Sequence, residues 1–173
     1  LGPPTLEWNQ CPYGKGQENE RIPFEIIEIG AVKLNEEREK VAEFHRIIRP
    51  CVYRQMHRII SEVTHVSIEE LERDGEPFAA VMEDFLKWCG EDCIFCTWGS
   101  MDLTELQRNM VYHGMTIPFP KPFLFYDVQK LYSLCYQDGK ARISLDEAVE
   151  SFALDVDAPF HRALGDAEYT GRV

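Results

Sequence analysis

The chain alternates short apolar runs with helix-period stripes. Glu25 to Leu34 (EIIEIGAVKL) is β-branched and apolar with Glu28 and Lys33 interleaved, and it predicts a strand. Asn35 to Arg38 reads as a turn, and Glu43 to Arg49 as the returning strand, stopped by Pro50. Residues 9–23 are polar and rich in Gly and Pro, which predicts a loop. Ser67-Ile68-Glu69-Glu70 has the form of a capping box before a short helix. From Pro77, the residues Phe78, Val81, Met82, Phe85, Leu86 and Cys89 follow the helical period as far as Gly90. Cys93 to Trp98 is an apolar run of strand length, and Asp102 to His113 predicts a helix ended by Gly114. Phe123 to Val128 is a further short apolar run. Ser144 to Glu147 repeats the capping-box form before a helix to about Phe152, and a last helix starts near Arg162. Strands first and then helix–strand alternation predict one α/β domain with a mixed sheet and helices packed on it.

Composition narrows the function classes. A chain of 173 residues with 45% hydrophobic residues can bury a sizeable core. No apolar stretch reaches the roughly 18 residues of a membrane span, and Leu1-Gly2-Pro3-Pro4-Thr5 lacks the form of a signal peptide. A cytoplasmic protein with no membrane contact is expected. The net charge of −12 argues against gripping long duplex DNA through its phosphates, but not against an enzyme acting on short or single-stranded nucleic acid. Six cysteines are too few for a disulfide framework, and Cys93-x-x-Cys96 reads as core or inert thiols rather than a metal site.

The candidate chemistry lies near predicted element ends. Glu7, Asp102 and Asp166 are carboxylates suited to Mg²⁺ or Mn²⁺. Two such ions about 4 Å apart activate a water and stabilise the leaving oxygen of a phosphodiester. His161, five residues before Asp166, is the candidate general base, since histidine titrates near about 6.5. Taken singly, each is a surface charge or helix cap by default; the ordered combination carries the signal.

In that order, Glu7, EIIEIGAVKL, Trp98-Gly99-Ser100-Met101-Asp102, Phe125-Tyr126-Asp127-Val128 and His161-x4-Asp166 resemble the DEDDh 3′-5′ exonucleases. These belong to the DnaQ/RNase T superfamily of ribonuclease H-like folds, and the likeness is to their KapD-like branch. The resemblance implies a five-stranded mixed sheet, three of its strands antiparallel at one side, with helices on both faces. It implies release of nucleoside monophosphates from the 3′ end of single-stranded RNA, DNA or short oligonucleotides. It implies Glu7, Asp102 and Asp166 as ligands of two Mg²⁺ or Mn²⁺ ions and His161 as base. It places Leu6, Trp8, Thr64 and His65 against the terminal nucleotide, and gives Asp127 a structural, capping role.

One position departs from the pattern. The first motif should read Asp-x-Glu and reads Thr5-Leu6-Glu7, so the carboxylate shared between the ions is missing. The apolar strand expected before it is replaced by Leu1 to Thr5, whose two prolines cannot ladder within a central strand. A foreign or misassigned start, a truncation (the chain also stops soon after Asp166), or a natural variant would each explain this; the first two are preferred because the other motif residues are present. The alternative function is a catalytically impaired module of the same fold that binds nucleic acid or protein. The oligomeric state is not legible.

Overall fold

The computed structural model describes residues 4–14 and 16–173, so Leu1, Gly2 and Pro3 of the questioned N-terminal stretch lie outside the described residues. Five strands and seven helices follow one another among those residues: β1 (Pro4–Gln10), β2 (Phe24–Leu34), β3 (Lys40–Ile47), α1 (Arg58–Thr64), α2 (Ile68–Asp74), α3 (Phe78–Cys89), β4 (Phe95–Thr97), α4 (Met101–Tyr112), β5 (Phe125–Asp127), α5 (Val128–Tyr136), α6 (Leu145–Ser151) and α7 (Ala163–Arg172). The expected α/β class with three antiparallel strands at one side is what the chain forms: β1–β2–β3 are antiparallel, and β4–β5 are parallel.

Local signals explain most elements. Ser67 accepts a hydrogen bond from the Glu70 amide, Ser144 and Glu147 form a reciprocal capping box, and the Gly90 amide closes α3 on the Leu86 carbonyl. Asp127 caps α5 by accepting from the Lys130 amide, the structural role expected of it. Two helices lie outside the expected elements: α1 is a seven-residue helix whose Ile60 packs against Ile27, Val66 and Leu71, and α5 follows β5 without a break. The predicted loop begins later than expected, because Asn9 and Gln10 belong to β1.

The prolines do not prevent β1. Pro4 is its first residue, where a missing N–H costs the ladder little, and Thr5 to Gln10 pair with β2. The other edge of β1 lies beside β4 without a continuous ladder between them among the described residues. β2 is buried from Glu25 to Val32, as a strand covered on both faces must be. On one face Ile26, Ile29 and Phe44 pack with Phe78, Met82, Phe85, Leu106 and Met110 of α3 and α4. On the other, Ile27 packs with Val66 and Leu71. α7 crosses β2 at Gly30, where a Cβ would sit 2.2 Å from the Leu164 nitrogen, so only glycine permits the close approach.

Candidate active site

The register of β1 on β2 sets the first carboxylate. Glu7 stands opposite Glu28, but Trp8 stands opposite Ile26, so Ile27 is an extra residue in the ladder. Such a bulge bends the strand and re-aims side chains, and bulges recur beside active sites. Asp102, in the first turn of α4, is buried, and its Oδ1 accepts the Leu6 N–H at 3.2 Å. A side chain thus takes an edge amide of β1, and Asp102 is pinned next to Glu7. Asp166, one turn into α7, accepts the backbone N–H of His161 at 3.2 Å through its Oδ1. His161 is exposed and has φ 61°, a left-handed conformation that a non-glycine residue holds only when its surroundings impose it. Those surroundings are built: Phe160 packs on the Tyr169 ring at 4.6 Å, and the Ala158 amide donates to the Tyr169 hydroxyl at 2.9 Å.

The three carboxylates sense one another. Burial pushes Glu7 up to about 8, reinforced by the negative charges of Asp166, Glu28 and Asp102. Burial pushes Asp102 up to about 7, partly offset by the Leu6 N–H and reinforced by Asp166. Burial pushes Asp166 up to about 6, against the pull of His161. A cluster that resists ionisation in water-poor surroundings is one that a cation would relieve. Among the described residues, however, no three such side chains already stand gathered at ligating separation.

Beside this cluster lies a buried network that periodicity does not reveal. Glu28 is fully buried; its Oε1 stands 2.6 Å from His45 Nε2 and accepts from Arg162 Nη2 at 3.0 Å and Nε at 3.2 Å. Its other oxygen accepts the Ala163 amide at 3.4 Å. Burial alone would raise Glu28, but the His45 and Arg162 hydrogen bonds outweigh it and hold the carboxyl below the usual carboxylate range. The network therefore ties the residue after His161, and the start of α7, to the centre of β2. The one sequence signal for it was Glu28 itself, a charge interleaved in an apolar run, since such a charge is almost never buried without a partner.

The structure sorts the residues expected at the terminal nucleotide. Leu6 is buried in the core at 3% exposure. Thr64 is 1% exposed and donates its hydroxyl to the Ile60 carbonyl at 2.8 Å, while its Oγ accepts the Val66 amide. The Leu6 side chain packs in the core, and the Thr64 hydroxyl is engaged within its own helix and with the Val66 amide. Trp8 is half-buried, tilted against Phe24 at 5.9 Å, and His65 is exposed in a left-handed cap with φ 57°.

The exonuclease family RNase_T matches residues 16–173, which leaves Thr5-Leu6-Glu7 just outside the match. A probable 3′-5′ exonuclease KapD of Bacillus subtilis (strain 168) is 27% identical over 161 residues, covering 90% of this chain and 74% of its own. The nuclease domain of 3′hExo, a DEDDh family member solved with bound rAMP, superposes with TM-score 0.80 at 22% identity over 99% of this chain and 87% of that one. E. coli exonuclease I in complex with a dA16 oligonucleotide gives TM-score 0.74 at 14% identity, covering 99% of this chain and 39% of its own. At those identities the solved structures share the fold.

Proposed function

This chain belongs to the RNase T exonuclease family, and on that premise we propose that it is a divalent-metal-dependent 3′-5′ exonuclease acting on single-stranded RNA, DNA or short oligonucleotides. The observation that carries this reading is that Glu7, Asp102 and Asp166 each have a carboxyl raised by burial and by neighbouring charge, with Asp166 anchoring the His161 loop.

The donor set fits a hard cation: three carboxylates, buried or half-buried, from β1, α4 and α7. Bound there, Mg²⁺ or Mn²⁺ would supply positive charge for an attacking water and for the departing oxygen. Glu7, Asp102 and Asp166 bind and orient; Trp8 and His65 border the terminal nucleotide. His161 accepts the proton of the water that attacks the last phosphodiester. The bond from phosphorus to the 3′ oxygen of the preceding nucleotide breaks, and that oxygen is protonated from solvent. The products are a nucleoside monophosphate and a strand one nucleotide shorter.

Thr5 offers no carboxylate to share between two ions, so the residues present hold one ion well and a second weakly. Calorimetric titration with Mn²⁺ should give about one tight ion in this chain and about two in Thr5→Asp, with the rate rising by orders of magnitude. Unchanged stoichiometry and rate would show that position 5 is not the missing ligand.

The reaction is tested on a 5′-labelled single-stranded oligonucleotide with Mn²⁺. Laddering from the 3′ end that disappears in His161→Ala is expected. No laddering, or laddering indifferent to His161→Ala, sinks the proposal. Thr5 also supports a second reading, a binding module of the same fold without catalysis. That reading predicts no metal-dependent binding of a nucleoside monophosphate, and calorimetry decides between the two.

A further inference from the structure

The acidity of the chain is not uniform. Residues 45–58 (HRIIRPCVYRQMHR) hold four arginines, two histidines and no carboxylate, in a chain of net charge −12. His45 is committed to Glu28, Arg46 pairs with Glu76 and Arg58 pairs with Glu62, the last two pairs between exposed partners of little energetic weight. Arg49 and Arg54 are exposed and carry no ion pair among the described residues.

The backbone that presents these arginines is fixed from below. Glu25, 3% exposed, accepts three successive amides of the segment: Cys51 at 2.6 Å, Val52 at 2.9 Å and Tyr53 at 2.9 Å. The buried Tyr53 donates its hydroxyl to the Ile22 carbonyl at 3.1 Å. Asn9 clamps the far end, accepting the His57 amide at 2.9 Å and donating to the Gln55 carbonyl at 2.8 Å. Asn9 lies two residues beyond Glu7 on β1, roughly 7 Å along the strand. A cavity of about 450 Å³ lies here, lined among others by Gln10, Phe24 and His57, with Glu18 as an acidic wall residue. α1 then runs from Arg58 to Thr64 and ends at His65, the residue proposed to border the terminal nucleotide.

We infer that this pinned segment is a phosphate track, in which Arg54 and Arg58 hold the backbone of a single strand upstream of the bond to be cut. The inference rests on the exonuclease reading and adds to it where the substrate runs. The geometry suits the role: phosphates recur about every 3.4 Å along a stacked strand, and Asn9, which clamps the segment, lies roughly two such steps beyond Glu7 along β1. A rigid base spares the strand the entropy of ordering the loop, and an acidic surround discourages strands from settling elsewhere.

Fluorescence anisotropy tests this with metal chelated, so that binding is read without turnover, on a labelled dinucleotide and a strand of about ten nucleotides. The natural chain should bind the longer strand about ten-fold more tightly at low salt, with a log–log salt slope of roughly −0.7 per phosphate held. Arg54→Ala/Arg58→Ala should lose about that ten-fold for the longer strand, leave the dinucleotide within about two-fold, and flatten the slope by roughly 1.4. Arg54→Lys/Arg58→Lys should keep most of the slope. Equal losses for both lengths, or none, overturn the track, as does a natural chain that favours neither length. Competition by polyglutamate as strong as by the oligonucleotide also overturns it, in favour of an acidic protein partner. A chain that grips by length yet never degrades overturns the catalytic reading alone; one that degrades without length-dependent grip overturns the track alone.

Discussion

At the scale of single residues, the site is a conflict between burial and charge. Glu7, Asp102 and Asp166 have carboxyls raised to about 8, 7 and 6, above their values in an unfolded chain. A raised folded-state value means the folded form holds the proton more tightly. The stability this gives is fully present below about pH 4 and is lost as pH climbs through 6 to 8. The metal-free protein should therefore melt lower at pH 8.5 than at pH 5.5, by roughly 5 °C or more, and Mn²⁺ should remove most of that difference. Melting that is flat across this window without metal would show that the three carboxyls do not share an environment. Glu28 behaves in the opposite sense, held ionised by His45 and Arg162. Glu28→Gln leaves the half-buried Arg162 guanidinium with a weaker partner and should cost about 1–3 kcal/mol by denaturant unfolding. Because Arg162 follows His161, the same change should lower kcat more than it raises KM, while Glu28→Asp restores part of the rate. A KM effect alone would mean the network serves only the fold.

At the scale of elements, α7 is the part on which most depends. It brings Asp166, begins beside His161 and Arg162, and packs on β2 at a point with no room for a side chain. Gly30→Ala places its Cβ within 2.3 Å of two backbone atoms of Ala163 and Leu164, which cannot yield without moving the helix. A loss of about 3 kcal/mol or more is expected, together with loss of the exonuclease activity proposed to depend on Asp166 and His161. By contrast, Gly114 has open space around it, so Gly114→Ala should cost only the strain of its positive φ, about 1 kcal/mol. Equal costs at the two glycines would refute the packing explanation. The elements themselves were legible where the signal is local. The capping serines at 67 and 144 and the stripe from Phe78 to Cys89 act within a few residues of chain, and those helices formed at their expected places. α1 was not among the expected helices: it is only seven residues long, its Ile60 packs against Ile27, Val66 and Leu71, and Asn9, nearly fifty residues away, accepts the His57 amide at its start.

At the scale of the whole molecule, charge and shape work against each other. With 18 basic residues against 30 acidic ones, few cations are available to hold a long polyanion. The dependence of oligonucleotide binding on salt should accordingly be shallow, with a log–log slope of roughly −1 to −2. A slope near −5 would demand phosphate contacts that the acidic surface does not offer.

Composition, periodicity and motif order determined the α/β class and most helices and strands, and named Glu7, Asp102, His161 and Asp166 as candidates, because each is written in short stretches of chain or in their order. Tertiary structure alone decided what those residues touch. The Leu6 amide meets Asp102 across 96 positions, and Glu28 meets Arg162 across 134. Thr64 turned inward to cap its own helix, and a bulge at Ile27 changed the register in which Glu7 stands. A pattern along the chain encodes which face of an element is apolar; it does not encode which distant polar group completes a buried one. That pairing exists only once the elements have packed and water has been removed from between them.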